Sequence, residues 1–313
     1  MPASLNIGDR DAKANNNFEC GLLEPDRGQI ERFVDLIFRH VPEGYISIRA
    51  FNADNTVFWN EAVHFNGGGM QPVCDAAEDI ARRCAQVKTA TDNVVFCPPV
   101  AVFKGPDKAR QEDLLHGPAL SIDFDKHPLR GRAQLEAIIG PLTAAVRSGG
   151  DWIDPQTGEV EHKLHGHWRL SVPASDEASL DKLKRARALA NAIVGGDTSN
   201  DPVSHPLRWP GSWHRKGEPR LCEIVEANPD AEIDLDAALA ALEAAAPADT
   251  GKADPGPGTE SKSKGAEGWG EEIANILAGN NLHDSIAVLA AKLIAAGMGD
   301  GAAVNLIRGF MNQ

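Results

Sequence analysis

The sequence predicts an α+β fold, in which a large mixed domain is followed by a small helical module. Two segments, 119–125 and 164–172, alternate apolar and polar residues as half-buried strands do. Other segments repeat apolar residues at the spacing of a helix, namely 29–40, 75–87 and 176–194. After residue 268 the sequence shows helical patterns only. These observations indicate that strands and helices mix in one domain and that an all-helical part follows it.

Composition excludes several classes of protein. The chain has 313 residues, of which 42% are apolar and 24% charged, enough for one large domain or two smaller ones. A net charge of −14 excludes a protein covered in positive charge, so binding to nucleic acid would need a local basic patch. Five cysteines without a Cys-x-x-Cys pair favour a reducing compartment over a disulfide framework. No apolar run reaches the length of a membrane span, so we expect no membrane partner.

The N-terminal part of the large domain begins with a predicted helix and strand. Apolar residues share one face of the helix at 29–40, and residues 45–51 then alternate like a strand. A second helix is predicted at 75–87. The apolar run at 93–103 contains two adjacent prolines, which predicts a sheet edge or an exit from a sheet.

The second half of this domain predicts two strands, each followed by a helix. The strand at 119–125 has an apolar and a polar face, and the helix after it ends near Pro141. The strand at 164–172 has the same two-faced pattern. The helix at 176–194 stops at the pair Gly195-Gly196, a common signal for a helix end.

The boundary between the two parts is a stretch whose only apolar residues are alanines among Pro, Gly, Ser and charged residues. Such a composition is typical of a flexible linker. We therefore divide the chain into a large domain at 1–245, a linker at 246–268 and a helical module at 269–313. Two apolar stripes at helical spacing support the module: Leu282, Ile286, Leu289 and Leu293, then Val304, Ile307 and Met311.

An Asp-x-Asp pair lies on the strand at 119–125. Asp123 and Asp125 point to the same side, so both carboxylates can reach one hard cation such as Mg²⁺ or Mn²⁺. The alternative is a solvated strand face that carries two aspartates. The opposite face is apolar, which indicates that the strand has a core side, and like charges on the polar face then need a counter-ion.

Three residues able to carry positive charge share one face of the strand at 164–172: His165, His167 and Arg169. Such a row suits a phosphate-bearing ligand. Zinc is an alternative ligand for a His-x-His pair, but no cysteine lies nearby. The pair is also similar to the His-hydrophobic-His motif of HUH endonucleases, which need a tyrosine nucleophile. The one tyrosine, Tyr45, is far upstream, and the middle residue Gly166 is not hydrophobic.

The segment 195–220 carries the local basic patch. From Leu180 to Arg220 there are eight basic and four acidic residues, although the whole chain has a net charge of −14. Prolines and a glycine predict a rigid turn that presents side chains and backbone N–H groups to a triphosphate. These side chains are Arg208, Ser212, His214, Arg215 and Lys216. Trp209 and Trp213 either stack on bases or, as we favour, pack against the protein.

In combination, these motifs resemble the archaeo-eukaryotic primase superfamily, in its RepB-like plasmid and phage branch of primase-polymerases. The matching order is a strand with Asp-x-Asp, a histidine strand ending in Trp-x-Leu, a helix, Gly-Gly-Asp and Arg-x-Pro-Gly-Ser-x-x-x-Lys, within residues 120–225. The resemblance implies an RRM-like catalytic sheet, an N-terminal α/β subdomain and a small all-α C-terminal module.

The resemblance also implies which residues form the metal site. Asp123 and Asp125 would be the first two metal ligands and catalytic carboxylates. The third would be Asp197 in Gly-Gly-Asp, with Asp201 as the competing candidate.

A second set of residues would bind the incoming nucleotide. His165 fits the family histidine because it stands three residues before Trp168. The Ser-Gly-rich stretch that often precedes this histidine is replaced here by Glu-His-Lys, which leaves His167 as the alternative. The phosphate-binding segment would use Arg208, Ser212, His214 and Lys216.

The function implied is that of a metal-dependent DNA primase-polymerase in plasmid, phage or prophage replication. Its ligands would be two Mg²⁺ or Mn²⁺ ions, a single-stranded DNA template, and dNTP or NTP. A replicative helicase would act in trans or in a longer parent chain, since no Walker-type Gly-x-x-x-x-Gly-Lys-Ser/Thr motif is present. The alternatives are a non-catalytic initiator that binds origin DNA and an HUH-type nickase. The expected location is the cytoplasm of a bacterial or phage-infected cell.

Overall fold

The computed structural model divides the chain into two compact units, Met1–Lys252 and Ala253–Gln313. The residues that it describes are 23–52, 54–66, 69–87, 94–246, 273, 276–277, 282–295 and 306–309. The predicted linker at 246–268 lies outside these residues, apart from Ala246. Within the described ranges, no helix is both long and apolar enough to cross a membrane.

The larger unit is built around an eight-stranded sheet in which every neighbouring pair is antiparallel. The strand order is β10-β6-β7-β5-β4-β1-β2, and β3 pairs with β1 beside this path. A separate two-stranded hairpin is formed by β8 and β9. The strands are β1 Glu43–Phe51, β2 Val57–Asn66, β3 Val95–Phe96, β4 Val102–Phe103, β5 Leu114–Phe124, β6 Ala144–Ile153, β7 Val160–Ala174, β8 Trp213–His214, β9 Arg220–Leu221 and β10 Glu223–Ala227.

Five helices belong to this unit, as far as the structure describes it: α1 Arg27–Phe38, α2 Gln71–Gln86, α3 Pro128–Ile139, α4 Glu177–Val194 and α5 Leu235–Ala245. Capping residues determine where these helices begin and end. Asp26 and Asp176 are the N-caps of α1 and α4, since each carboxylate accepts a hydrogen bond from a backbone N–H of the first turn. Gly195 ends α4 in the left-handed conformation, as its sequence predicts.

The helices cover both faces of the sheet, so two cores form. On one face, α1 and α2 pack with residues of β1, β5 and β6. On the other face, α3, α4 and α5 pack against β5 and β7, burying Leu120, Phe124 and Trp168. The strands at the centre are therefore buried on both sides. The polar face predicted for them is buried too, because α1 and the segment around Trp209 lie over it.

Most predicted elements are confirmed, while others were missed. The sequence patterns located α1, β1, α2, β5, α3, β7 and α4 but not β2, β6, β10 or α5. The two prolines in 93–103 do lie between β3 and β4, each of which pairs with β1. However, β4 lies inside the sheet between β1 and β5, so the expectation of an edge is wrong there. The proline segment is instead held by residues distant in sequence, since Leu207 N donates to the carbonyl of Pro98.

The smaller unit contains α6, Leu282–Ala295. Leu289 and Leu293 are fully buried there and cluster with Ile276 and Ile307. The helix predicted from the first apolar stripe is thereby confirmed. Of the second stripe only Ile307 is among the described residues, whereas Val304 and Met311 lie outside them.

Candidate active site

The register of β5 and β7 places the Asp-x-Asp and His-x-His motifs side by side. Asp123 is the direct cross-strand partner of His165, and Ser121 is the partner of His167. Directly paired residues point to the same face of a sheet. As a result, Nε2 of His165 lies 3.6 Å from Oδ1 of Asp123.

Asp123 is largely buried, with a side chain that is 18% exposed. Burial, together with the negative charge of Asp125, raises the pKa of the Asp123 carboxyl to about 7. The positive charges of Lys163, Arg208 and Arg187 act in the opposite direction. Within the described part of the chain, Oδ1 of Asp123 accepts no hydrogen bond. A buried carboxylate oxygen without a donor, next to a second carboxylate, fits a bound cation.

His165 is held in one orientation by the loop that follows α4. Its Nδ1–H donates to the carbonyl of Arg208 at 3.2 Å, which leaves the lone pair of Nε2 toward Asp123. Burial, together with the charge of Arg208, lowers the pKa of His165 to about 3. The imidazole is therefore neutral and presents an acceptor to the site.

Gly166, between the two histidines, is required by packing. A Cβ at this position would lie 2.7 Å from the ring of Phe124 and 3.0 Å from that of Trp168. The hydrophobic residue that an HUH motif carries here has no space in this fold.

His167 lies deeper in the protein than His165. It is fully buried, its Nδ1 is 2.9 Å from the hydroxyl of Ser121, and its ring contacts the edge of Phe33. Burial lowers its pKa well below the ordinary value. Of the two histidines, the structure thus places His165, and not His167, beside the carboxylates.

Arg169 corrects one expectation from the sequence. Its guanidinium donates to Glu232 and to the carbonyls of Leu36 and Pro229, and its side chain is 1% exposed. The donors are thereby used to join β7 to the end of α1 and to the loop before α5. The expectation that Arg169 binds a phosphate is wrong, because its hydrogen-bonding capacity is used inside the fold.

Arg208 lies between the histidine and the β6 strand. Its Nη1 donates to the carbonyl of Ser148 at 2.7 Å, while its own carbonyl accepts from His165. Its Nε is buried and has no partner among the described residues. One donor of Arg208 is therefore fixed, and another is left for a ligand.

The next residues of the loop are used structurally. The buried hydroxyl of Ser212 donates to the carbonyl of Trp209 at 2.7 Å. Trp209 is fully buried against Phe33 and Phe38, so the packing role that we favour for it is confirmed. Arg215 donates to two backbone carbonyls at the end of α2.

Gly211 brings this loop onto the start of α1. Its φ is +85°, and a Cβ would lie 2.3 Å from the carbonyl oxygen of Asp26. The backbone N–H of Asp26 donates to the carbonyl of Gly211 at 2.9 Å. Only glycine combines this conformation with so close an approach.

His214 and Lys216 follow on the β8–β9 hairpin. His214 packs against Gly149 of β6, and its buried Nδ1 has no partner in the described part of the chain. Burial and the charges of Arg208 and Lys216 lower its pKa to about 4. Lys216 is exposed. Together with Arg208 these residues line one side of the site with positive or polar groups.

The two candidates for a third carboxylate lie on a different loop. Asp197 caps the short helix Thr198–Asn200 by accepting from Ser199 N at 2.8 Å. Asp201 accepts from Asn191 Nδ2 at 2.9 Å. The described residues contain no group of three or more His, Cys, Asp or Glu side chains placed to hold a metal. The structure therefore joins Asp123 to Asp125 but does not join either candidate to them.

Three further residues at the site were missed in the sequence. Lys163 Nζ lies 2.6 Å from Oδ1 of Asp125. Arg187 of α4 is buried and donates through Nε to the carbonyl of Asn200. His205 is half-buried, and burial together with the charge of Arg187 lowers its pKa to about 4. Lys163 had a signal, because it stands two residues before His165 on the same strand face.

Comparison with known proteins returns primase structures. The chain is similar to the primase-polymerase domain (AEP domain) of cyanophage S-2L, with 19% identity and a TM-score of 0.48 over 70% of this chain and 100% of that one. It is similar to the catalytic domain of the primase RepB′ in complex with initiator DNA, with 13% identity and a TM-score of 0.45 over 70% and 92%. A further structure of RepB′ gives 11% identity and a TM-score of 0.44 over 69% and 62%. No family model and no curated protein matches the chain.

The arrangement has two chemically distinct sides. Asp123 and Asp125 supply oxygen ligands of the kind that divalent cations prefer. Arg208 and Lys216 supply positive charge that suits a polyphosphate. The neutral imidazole of His165 lies between them. Such a site is suited to a polyphosphate that arrives with a divalent cation.

Proposed function

We propose that the chain is a metal-dependent nucleotidyltransferase of the primase-polymerase type, which makes and extends short primers on single-stranded DNA. One observation carries the proposal: Asp123 and His165 face each other on adjacent strands, beside Arg208. This contact joins a carboxylate suited to a cation with the loop suited to a triphosphate.

In this proposal, Asp123 and Asp125 hold Mg²⁺ or Mn²⁺. The donor-free oxygen of Asp123 supports this role, because a cation would satisfy it. A divalent cation bound there supplies positive charge that stabilises the phosphoryl-transfer transition state. A two-metal site needs a third carboxylate, for which Asp197 and Asp201 are the candidates.

The triphosphate of a dNTP or NTP binds on the opposite side. Arg208 and Lys216 neutralise its charge, and His214 offers a polar contact. His165 presents Nε2 as an acceptor to the incoming nucleotide. Ser212 keeps the turn in place through its bond to Trp209, since its hydroxyl is already used there.

The nickase alternative is disfavoured by the position of Tyr45. Tyr45 pairs with Phe103, which pairs with Leu114 at the start of β5. Asp123 lies near the other end of β5, and a strand rises about 3.3 Å per residue, which separates Tyr45 from the site by roughly 30 Å. The one tyrosine of the chain is thus far from the histidines.

The biological setting proposed is replication of a plasmid, phage or prophage in the bacterial cytoplasm. The template is single-stranded DNA. The helicase that exposes this template acts in trans or belongs to a longer parent chain.

The test is primer synthesis on unprimed single-stranded DNA with labelled nucleotides and Mg²⁺ or Mn²⁺. We expect Asp123→Asn to lower incorporation on the order of a hundredfold or more, because a metal ligand is lost. The control is Asp79→Asn, which alters an exposed carboxylate paired with Arg83 on α2 and should leave incorporation unchanged. Asp197→Asn and Asp201→Asn, assayed in parallel, identify the third carboxylate.

Each other outcome assigns a different function. Extension of a supplied primer without synthesis on bare template would indicate a polymerase that lacks initiation. DNA binding without any incorporation would indicate the non-catalytic initiator. Strand cleavage would indicate a nuclease.

A further inference from the structure

The loop after α4 folds back along the helix that precedes it. The helix ends at Gly195, which adopts the left-handed conformation with a φ of +68°. We call residues 197–203 the return loop. It contains both candidates for the third carboxylate, Asp197 and Asp201. The position of this loop therefore determines whether a third carboxylate can reach the site.

Two side chains of α4 bind the middle of the return loop. Nε of Arg187 donates to the carbonyl of Asn200 at 2.6 Å, and Nη1 lies 3.5 Å from the carbonyl oxygen of Val203. One turn further along α4, Nδ2 of Asn191 donates to the carboxylate of Asp201 at 2.9 Å. Residues four apart lie on one face of a helix, so both contacts come from the same face. Two adjacent residues of the loop are thereby held by one helix.

The segments on the far side of this loop have anchors of their own. The backbone N–H of Val203 donates to the side chain of Gln111 at 2.9 Å. Further along, Nη1 of Arg208 donates to the carbonyl of Ser148 on β6 at 2.7 Å. The contacts from α4 therefore act on the part of the chain that carries the two aspartates, whereas the phosphate-binding segment is held by the sheet.

Arg187 is a buried cation without an ion pair. It is 2% exposed, and its Nη2 has no partner among the described residues. The ion pairs of α4 that the structure describes, at Lys182 and Arg185, lie at the surface instead. A buried charge without a counter-ion is costly, and its replacement by an apolar residue is often neutral or stabilising. The packing of α4 thus gives no reason for a cation at this position.

The charge of Arg187 also reaches the carboxylate pair. Burial lowers the pKa of Arg187 to about 10, and the negative charges of Asp123 and Asp201 act in the opposite direction. In turn, the charge of Arg187 is one of three that oppose the raised pKa of Asp123, for which burial is the main cause. One guanidinium is therefore bonded to the return loop and close enough to Asp123 to influence it.

We propose that Arg187 and Asn191 are positioning residues, which hold the return loop next to Asp123 so that an aspartate of the loop completes the metal site. The inference rests on the proposed function, to which it adds the part of the fold that positions the third carboxylate. Arg187 acts through the backbone of Asn200, and Asn191 acts through the side chain of Asp201. The role is the same whichever aspartate is the ligand, since both belong to one loop.

The test uses two variants that leave the net charge of the chain unchanged, Arg187→Lys and Asn191→Leu. Lysine keeps the charge but lacks the planar fork that faces two carbonyls, and leucine has the branched shape of asparagine without its donor. The first measurement is hydrogen exchange of residues 197–203 in EDTA, which requires neither metal nor activity. We expect exchange there to become about fivefold faster in each variant, because one hydrogen bond is lost, and exchange in β5 to stay unchanged.

The second measurement is the affinity for Mn²⁺ at pH 8, followed by electron paramagnetic resonance. Neither variant changes the charge near the site, so a weaker affinity reports a displaced ligand. We expect the Kd for Mn²⁺ to rise about tenfold in each, as for other residues that orient a metal ligand. In nucleotide incorporation, kcat should fall by a similar factor while the nucleotide KM changes by less than about twofold, because the phosphate-binding segment is anchored to β6.

The matched control is Arg185→Lys. It alters an arginine of the same helix, which pairs with Glu243 at the surface. Hydrogen exchange, Mn²⁺ affinity and kcat should all remain as in the wild type.

The outcomes distinguish this inference from the proposed function. Faster exchange and weaker Mn²⁺ binding in both variants support the inference even if the wild type incorporates no nucleotide. Wild-type exchange and Mn²⁺ affinity in either variant would overturn the role of that residue. Faster exchange with an unchanged Mn²⁺ affinity would show that the return loop supplies no metal ligand, and it would overturn the inference even in an active primase. Absence of Mn²⁺ binding by the wild type would overturn it as well.

Discussion

Lys163 forms an ion pair with Asp125, the Nζ atom lying 2.6 Å from Oδ1. One oxygen of the acidic pair thus has a cationic partner, while Oδ1 of Asp123 has no donor among the described residues. The two carboxylates are therefore not equivalent toward a divalent cation. A cation that binds to both must compete with the Lys163 ammonium.

This competition predicts the effect of Lys163→Ala. Removal of the ammonium should lower the Mg²⁺ concentration that gives half-maximal incorporation by several-fold, because an ion pair at a part-exposed site contributes about 1 kcal/mol or less. The measurement is a Mg²⁺ titration of nucleotide incorporation at pH 8.5. Lys184→Ala is the control, and a requirement for more Mg²⁺ in Lys163→Ala would show that Lys163 assists the site.

The turn at Gly211 predicts a difference between two glycines of the same loop. Gly211→Ala should lower the free energy of unfolding by more than Gly217→Ala, since both have positive φ but only Gly211 meets another atom, the carbonyl oxygen of Asp26. Holding an alanine at positive φ costs about 1–2 kcal/mol of the free energy of unfolding in each variant. Urea unfolding measures the difference. Gly211→Ala should also raise the nucleotide KM, and equal stability of the two variants would contradict the close approach.

The structural role of Arg169 predicts lost stability without a change in nucleotide affinity. Arg169→Met leaves two backbone carbonyls without their donor and leaves Glu232 with His40 as its remaining partner, so it should lower the free energy of unfolding by about 2–4 kcal/mol. Arg185→Met, which breaks an exposed pair with Glu243, should cost about 0–1 kcal/mol. A raised nucleotide KM in a folded Arg169→Met protein would restore the phosphate-binding role.

Buried histidines predict how stability depends on pH. The pKa of His165 is lowered to about 3, that of His205 to about 4, and that of His167 also falls well below 6.5. Each is neutral in the folded chain but gains a proton below pH 6.5 when unfolded. The stability that each contributes is thus present above pH 6.5 and is lost as the pH falls toward the folded value.

The variant His167→Gln removes one of these three titrating histidines. Between pH 6.5 and 5.5, its free energy of unfolding should fall by about 1 kcal/mol less than that of the wild type. The raised pKa of Asp123 has the opposite effect, because it makes the folded state more stable as the pH falls. This effect is the same in the wild type and in His167→Gln. Denaturant unfolding in EDTA measures the two slopes, with the exposed His64→Gln as control. Parallel slopes would mean that folding does not shift the pKa of His167.

Sequence periodicity was sufficient for the strands that carry the site. Alternation located β5 and β7, and the shared face of Asp123 with Asp125 followed from a period of two. The same alternation did not predict that the polar face of β5 and β7 is buried. That face is covered by α1 and by the loop around Trp209, which come from distant parts of the sequence. The same limit applies to Arg169, whose partners Leu36 and Glu232 lie far from it along the chain.

Other elements lacked a local signal. The strand β6 contains Ser148, Gly149 and Gly150, residues that favour loops, and its conformation depends on pairing with β7 and β10. His205 shows no periodic relation to the other site residues, since a loop places it. Lys163 differs, because its spacing from His165 indicated the shared face.

Gly166 has a consequence for the evolution of the site. The ring of Phe124 occupies the volume that a side chain at Gly166 would need, on the face of the sheet opposite to Asp123 and His165. A single codon change that adds a side chain there would displace the rings of Phe124 and Trp168 in the core beneath the site. Descendants of this chain can therefore enlarge Gly166 only if Phe124 becomes smaller in the same lineage.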